Sequence, residues 1–362
     1  MKIAVLGAGA GGAASVVELV AGGHEVTLWA RSTATLVPFE AVGGILYEGV
    51  LGEGLAVPAA ITSSLVGAIR DCDAAVVALP TLSHGYIAES LAAFGWPEDR
   101  PVILNPGHTG GALEFDTAFR LHREVAPPVA EFSTLTYVAR KYAPDSVTVT
   151  GRAKSVRVGA LPGGGVALEL AIHLFPGACP VDDVLAADLA NVNMVLHPPA
   201  SVLGAAWVEA KGGDFTFYVE GMTPGVARVM KGLDEERQAV ARAFGHELPN
   251  LVEEMQRIGT VEAGVTDTED FRAAIAGGEA NSRIRAPDSF DHRYYHEDFG
   301  HGLLPFLELA RIAGVETPVA AALFALAGSM TGTDYRAKGR TAAAMGIEGF
   351  DKARLLERVR GA

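Results

Sequence analysis

An α/β domain over residues 1–165 followed by an all-α domain over 166–362 is the organisation this sequence predicts. Three observations carry it. Strand and helix patterns alternate from the first residues to about residue 120, as a parallel sheet requires. A G-x-G-x-x-G turn stands between the first strand pattern and the first helix pattern. Beyond Gly163-Gly164-Gly165 the apolar period becomes 3.6 and stays there.

Lys2 to Leu6 is a short apolar run suited to a strand buried on both faces. Gly7-Ala8-Gly9-Ala10-Gly11-Gly12 follows, a helix pattern runs from Ala13 to Val20, Gly22-Gly23 ends it, and Glu25 to Ala30 reads as the next strand. In that setting the unit reads as a Rossmann dinucleotide site. Gly7 permits the tight turn, Gly9 lets backbone reach a pyrophosphate, and Gly12 allows close helix–strand packing. Ala8 and Ala10 belong to the same cradle, where a helix N-terminus offers free N–H groups and a positive dipole end. A glycine-rich turn with no ligand is the plainer alternative, and the strands on either side weigh against it.

The second strand ends without the Asp or Glu that usually binds the ribose hydroxyls of NAD. It offers Arg31 and Ser32, which suit a 2′-phosphate, so NADP is expected, with NAD admitted if Arg31 only stacks on adenine. Ala74 to Leu79 forms a strand ending at Pro80-Thr-Leu-Ser-His84, and Val102 to Asn105 one ending at Pro106-Gly-His-Thr-Gly-Gly111. Ligands in open α/β sheets lie beyond such carboxyl ends. Pro80, His84 and Asn105 are therefore expected at the cofactor, and His108 and Thr109 at substrate or nicotinamide, with a turn hydrogen bond as their plainer role. Residues 41–62 suggest an extra hairpin, Ser146 to Thr150 and Ser155 to Gly159 are β-rich, and Gly163 to Gly165 reads as the connector between domains.

Helices are expected over 166–175, 184–196, 226–244, 248–258, 268–275, 303–313, 318–329 and 352–359, with Asp267 (or Thr268) and Thr317 as N-caps. Two domains with a cleft between them suit a cofactor enzyme. Two helical-domain segments are rich in chemistry. In Asn191-Val-Asn-Met-Val-Leu-His197-Pro198-Pro199 the prolines should stop or sharply kink the helix, leaving the imidazole at a helix end. Asp291-His-Arg293-Tyr-Tyr-His-Glu-Asp298-Phe-Gly-His-Gly is polar and aromatic ahead of an apolar helix.

Composition narrows the function. Glycine is 43 of 362 residues, against roughly 7 % in an average protein. The chain is also 49 % hydrophobic and 20 % charged, without a G-X-Y period, so neither disorder nor collagen explains the excess. A net charge of −14 argues against nucleic acid and anionic membrane as partners. No apolar run nears the roughly 18 residues that span a bilayer. Met1-Lys2 and the apolar stretch to Val17 imitate a signal peptide, but the glycines and Glu18 suit a strand, turn and helix better. Cys72 and Cys179 form no framework, so a cytoplasmic protein is expected. His292, His296 and His301 around Asp298 match no zinc spacing, and no metal is expected. Tyr294 and Tyr295 read as packing residues, and Met194, Trp207, Phe215 and Phe217 as core or pocket wall.

The glycine turn, the Asn-Pro-Gly loop at 105–107, Asn191-x-Asn193-x-x-x-His197-Pro-Pro and Arg293-Tyr-x-x-Glu-Asp298 together resemble the NAD/NADP octopine/nopaline (opine) dehydrogenase family. The resemblance spans nearly the whole chain. It implies a helical domain of the 6-phosphogluconate dehydrogenase C-terminal type, and reductive condensation of an α-keto acid with the amino group of an amino acid through an imine. It also implies His197 as catalytic acid/base, Asp298 as its carboxylate partner, and Arg293 as the ligand for a substrate carboxylate. Without the resemblance, His197 reads equally as a helix C-cap and Arg293 with Asp298 as a surface ion pair.

Two other functions fit the same residues. A keto-acid or hydroxy-acid reductase of the ketopantoate reductase kind shares the glycine turn and the arginine, although a lysine acid is expected there. A dinucleotide-binding sensor without catalysis would not need His197, Arg293 and Asp298. The apolar helices near the C-terminus suit a homodimer surface or a core equally.

Overall fold

The computed structural model describes residues 1–278 and 281–361, in two units: Met1–Gly107 with Gly111–Val184, and His108–Gly110 with Leu185–Ala362. The first unit begins β1 (Lys2–Leu6), α1 (Ala10–Ala21), β2 (Glu25–Trp29), α2 (Thr33–Val42), β3 (Ile45–Gly49), β4 (Gly54–Ala56) and β5 (Ala60–Thr62). It continues α3 (Leu65–Ile69), β6 (Ala74–Val77), α4 (His84–Ala93), β7 (Val102–Leu104), α5 (Gly111–Phe119), β8 (Val129–Phe132) and β9 (Tyr137–Arg140). It closes with β10 (Ser146–Arg152), β11 (Val156–Ala160), α6 (Gly165–Leu174) and β12 (Ala178–Pro180).

Eight strands form the main sheet in the order β12-β11-β8-β7-β6-β1-β2-β5. Neighbours from β5 to β8 run parallel, and β11 turns antiparallel against β8. The central strands are continuous apolar runs because helices cover both faces of such a sheet. Ile3 to Leu6 and Val102 to Leu104 are accordingly fully buried. The expected hairpin is β3 and β4, paired antiparallel and extended by β10 and β9 into a second, four-stranded sheet.

The expected boundary after Gly165 is corrected to Val184/Leu185. Gly163 to Gly165 is not the connector but a tight turn of the sheet unit, where a Cβ on Gly164 would sit 2.6 Å from the Val129 carbonyl oxygen. The helix that follows, α6, returns the chain to β12, which pairs with β11.

The second unit is helical: α7 (Val184–Asp188), α8 (Val192–Leu203), α9 (Ala205–Lys211), α10 (Pro224–Ala243), α11 (Leu251–Ile258) and α12 (Phe271–Gly277). Then come α13 (Arg293–Asp298), a π-helical turn (Phe299–Leu303), α14 (Leu304–Ala313), α15 (Pro318–Thr331), α16 (Tyr335–Lys338) and α17 (Lys352–Arg360). The expected single helix over 184–196 is two, because the Asn191 side chain accepts from the Asn193 N–H and starts α8 afresh.

Pro198 and Pro199 do not stop α8, and His197 lies inside the helix rather than at its end. A proline inside a helix removes its own N–H bond and crowds the carbonyl four residues back, a cost that packing must offset. Here α8 is buried from Met194 to Ser201 and packs against α10 and α13, which holds it helical through the pair. At α12 the cap is Asp270, whose Oδ1 accepts from Ala273 N; Asp267 serves a turn before the helix. Thr317 stands at the cap of α15 but makes no cap bond. Buried Glu236 of α10 accepts from Val319 N at 2.7 Å and Ala320 N at 2.9 Å instead. Among the described residues no helix is long and apolar enough to cross a membrane.

Candidate active site

The glycines of the first unit divide as the chemistry of a dinucleotide cradle requires. Gly7 has φ +126°, and a Cβ there would lie 2.3 Å from the Ala78 carbonyl oxygen. A Cβ on Gly12 would lie 1.8 Å from the carbonyl oxygen of Gly7. Gly9 differs: nothing stands within 4 Å of a Cβ built on it. No protein contact demands glycine there, so the open space is what a pyrophosphate approaching the backbone would need. Gly9 also caps α1 with no side-chain bond, which leaves the first-turn N–H groups beside Ala8 and Ala10 to an anion.

Arg31 and Ser32 follow β2 and are exposed, with the guanidinium 6.0 Å from the centroid of the Tyr86 ring. Pro80 is exposed after β6. His84 and Asn105 stand in the segments after β6 and β7, as expected, with fully buried side chains. The Asn105 amide donates to Thr136 Oγ1 at 2.9 Å and accepts from Thr136 N at 3.2 Å, so its side chain clamps its own unit. Beneath the Asn-Pro-Gly loop lies Glu131, whose Oε2 accepts from Ala112 N at 3.0 Å. A Cβ on Gly107 or Gly111 would strike that carboxylate, which gives both glycines a packing reason.

Residues His108–Gly110 belong to the helical unit. Thr109 is tied down: its hydroxyl donates to the Asp188 carbonyl at 3.2 Å, Asn191 Nδ2 donates to that hydroxyl at 3.2 Å, and Arg340 Nη1 donates to the Thr109 carbonyl at 2.6 Å. Gly110 N donates to Asp188 Oδ1 at 2.7 Å. His108 is buried with φ 59°, and burial lowers its pKa against the opposing pull of Glu297 and Asp298.

At the centre of this unit His197 is 4 % exposed and Asp298 2 %. His197 Nδ1 stands 2.7 Å from Asp298 Oδ2, and Nε2 2.8 Å from the Tyr218 hydroxyl. The Tyr294 ring stacks on the imidazole at 3.8 Å between centroids and 20° between planes. Tyr294 thus packs on the imidazole itself, and Tyr218 went unmarked in the sequence. With Asp298 on Nδ1, that nitrogen keeps its hydrogen and Nε2 is left to exchange protons. Arg293 opens α13 with an exposed side chain 3.4 Å from Glu297. The desolvation of its inner part works against its charge, but Glu297 and Asp298 outweigh it and raise its pKa. Since Asp298 is buried on His197, the Arg293–Asp298 surface pair does not occur.

The three neighbouring histidines go separate ways. His292 caps α13 through Tyr294 N, His296 pairs with Asp291 at 2.8 Å, and His301 is buried in the π-helical turn. Among the described residues no group of three or more His, Cys, Asp or Glu is placed to hold a metal. Met194, Phe215 and Phe217 are core, while Trp207 is partly exposed and packs on Phe215.

A glycine cradle open at Gly9 and a buried His–carboxylate pair define a pyridine-nucleotide-dependent dehydrogenase made of a sheet unit and a helical unit. Residues 180–331 match the family model described as NAD/NADP octopine/nopaline dehydrogenase, alpha-helical domain, and residues 3–161 match that of ketopantoate reductase PanE/ApbA. An opine dehydrogenase of Arthrobacter sp. (strain 1C) is 34 % identical over 97 % of this chain and 96 % of its own. A vitopine synthase of Allorhizobium ampelinum is 26 % identical over 99 % of both. The fold is similar to that of octopine dehydrogenase with NADH and L-arginine, at a TM-score of 0.77 and 19 % identity over 100 % of this chain and 98 % of that one. Yersinopine dehydrogenase bound to NADP+ gives 0.75 and 17 % over 99 % and 98 %. The chain belongs to the opine dehydrogenase family, and is an NAD(P)-dependent oxidoreductase acting on CH–NH groups.

Proposed function

We propose that His197 is the acid/base of a reductive condensation between an α-keto acid and the amino group of an amino acid, with Asp298 fixing its tautomer. The observation that carries this is the 2.7 Å contact between His197 Nδ1 and Asp298 Oδ2 inside a nearly closed aromatic setting. There the carboxylate offsets the charge of an imidazolium that water could not solvate. Arg293, exposed beside the dyad's helix, is the cation for a substrate carboxylate, which it can grip through two parallel hydrogen bonds. His108 and Thr109 border the same substrate, with the Thr109 side chain already committed to Asp188 and Asn191. The reduced nicotinamide supplies the hydride.

NADP is the favoured cofactor, bound through Gly7, Ala8, Gly9, Ala10 and Gly12, with Arg31 and Ser32 at the 2′-phosphate and Pro80 on the rim. Related proteins support the substrate classes: octopine dehydrogenase is described with pyruvate and with L-arginine. Cys72 and Cys179 are free thiols, which suits a cytoplasmic enzyme. The test follows NADPH oxidation with pyruvate or 2-oxoglutarate, with and without a panel of amino acids. Oxidation should require both substrates and vanish in His197→Ala. Undiminished oxidation by the keto acid alone points to a simple reductase instead.

A further inference from the structure

We propose that the Tyr218 hydroxyl carries the proton between His197 and the substrate, an inference that rests on the reading of His197 as acid/base. An imidazole has two nitrogens, and both are engaged: Nδ1 by Asp298 at 2.7 Å and Nε2 by Tyr218 Oη at 2.8 Å. The Tyr294 ring covers one face, and Phe217 lies 6.4 Å away between centroids. His197 itself is 4 % exposed. A substrate atom therefore meets the exchanging nitrogen only by evicting the phenol or through it.

A phenol suits transfer. Its oxygen both donates and accepts, so one hydroxyl can release a proton outward and be refilled from Nε2 in the same step. Tyr294 Oη, 3.3 Å from Tyr218 Oη, helps hold the hydroxyl over the imidazole.

The step that needs an acid is the loss of water. The neutral amine adds to the keto carbon, the carbonyl π pair moves to oxygen, and one proton passes from nitrogen to that oxygen to give a carbinolamine. Its hydroxyl oxygen takes the Tyr218 proton, the C–O bond breaks, the nitrogen lone pair forms C=N⁺, and water leaves. Tyr218 Oη takes the Nε2 proton of the imidazolium, whose bonding pair stays on nitrogen. His197 is then neutral, with its remaining proton on Nδ1 toward Asp298. When bound, the reduced nicotinamide would supply the hydride for the new C–H bond. One proton and one hydride are consumed, and the phenol ends as it began.

Tyr218→Phe tests this, with His197→Ala beside it. The phenylalanine variant should lose about 10²-fold in kcat, the lower end of general-acid effects, while KM for NADPH stays within twofold. Its solvent deuterium isotope effect on kcat should rise above the wild-type value, because proton delivery becomes slow. A kcat within threefold of wild type overturns the proposal, since His197 then works directly. So does a large fall with an unchanged isotope effect, which marks a packing defect. Incorporation of 3-fluorotyrosine at position 218 keeps the shape and makes the phenol more acidic, and kcat should shift with it; no shift counts against the relay. Activity surviving in His197→Ala would instead remove the reading beneath it.

Discussion

The two units solve different recognition problems with different parts of the polypeptide. At the nucleotide turn the residues are defined by what they lack. Gly7 and Gly12 are held to glycine by protein backbone 2.3 and 1.8 Å from a would-be Cβ, whereas Gly9 has nothing near it. At the His197 centre the side chains are everything: a carboxylate, a phenol and a stacked ring occupy the imidazole on three sides. Binding a diphosphate asks for backbone N–H groups and room, which α1 and its turn provide. Moving a proton asks for one side chain held in one tautomer, which takes partners from α8, α13 and the segment before α10.

That contrast can be broken by mutation. The largest effect on stability should come from the helical unit, where Arg237 is 2 % exposed and bonds to Asp234 at 2.8 Å, to the Leu189 carbonyl at 2.9 Å and to the Pro249 carbonyl at 2.7 Å. Arg237→Ala strands a buried carboxylate and two carbonyls and should cost about 3–5 kcal/mol, read by denaturant unfolding. In the sheet unit Gly9→Ala should do the opposite. Its melting temperature should hold while affinity for NADPH falls about 100-fold, or about 2.7 kcal/mol, because the added methyl enters space that only the ligand uses. Next in size, Arg31→Ala should raise KM for NADPH about tenfold and leave KM for NADH little changed, which kinetics with both cofactors will show.

At neutral pH the smallest effect is a pH term, which grows on acidification. Burial, then the charge of Arg340, pushes the pKa of His301 from 6.5 down to about 3. As pH falls below 6.5 the unfolded chain takes up a proton that the folded chain refuses, so stability is lost between the two values. The slope is about 1.4 kcal/mol per pH unit for one such group. Within that window His301→Gln should flatten the dependence of unfolding free energy on pH, and an unchanged slope would show that His301 does not contribute.

Local signals made the nucleotide turn readable: strand, three glycines, helix and second strand all lie within thirty residues of the N-terminus. The boundary was misplaced because β12 is three residues long and shows no period, and only its pairing with β11 ties α6 and β12 to the sheet. The His197–Asp298 pair spans 101 residues of sequence, so only the family resemblance joined them. Tyr218 had no such help. It sits in Phe215-Thr-Phe-Tyr218, which reads as core, and nothing local tells a phenol aimed at an imidazole from one aimed at a carbonyl. The helix through Pro198-Pro199 was unreadable for a related reason, since burial against α10 and α13 outweighs what the two prolines prefer.

The central claim is that proton chemistry resides in the dyad while the cofactor is held by the glycine cradle. Asp298→Asn tests it directly, by measuring NADPH affinity and turnover on the same preparation. The amide should leave the dissociation constant within twofold and lower kcat by about 10²-fold or more. Turnover at the wild-type rate with cofactor bound would contradict it.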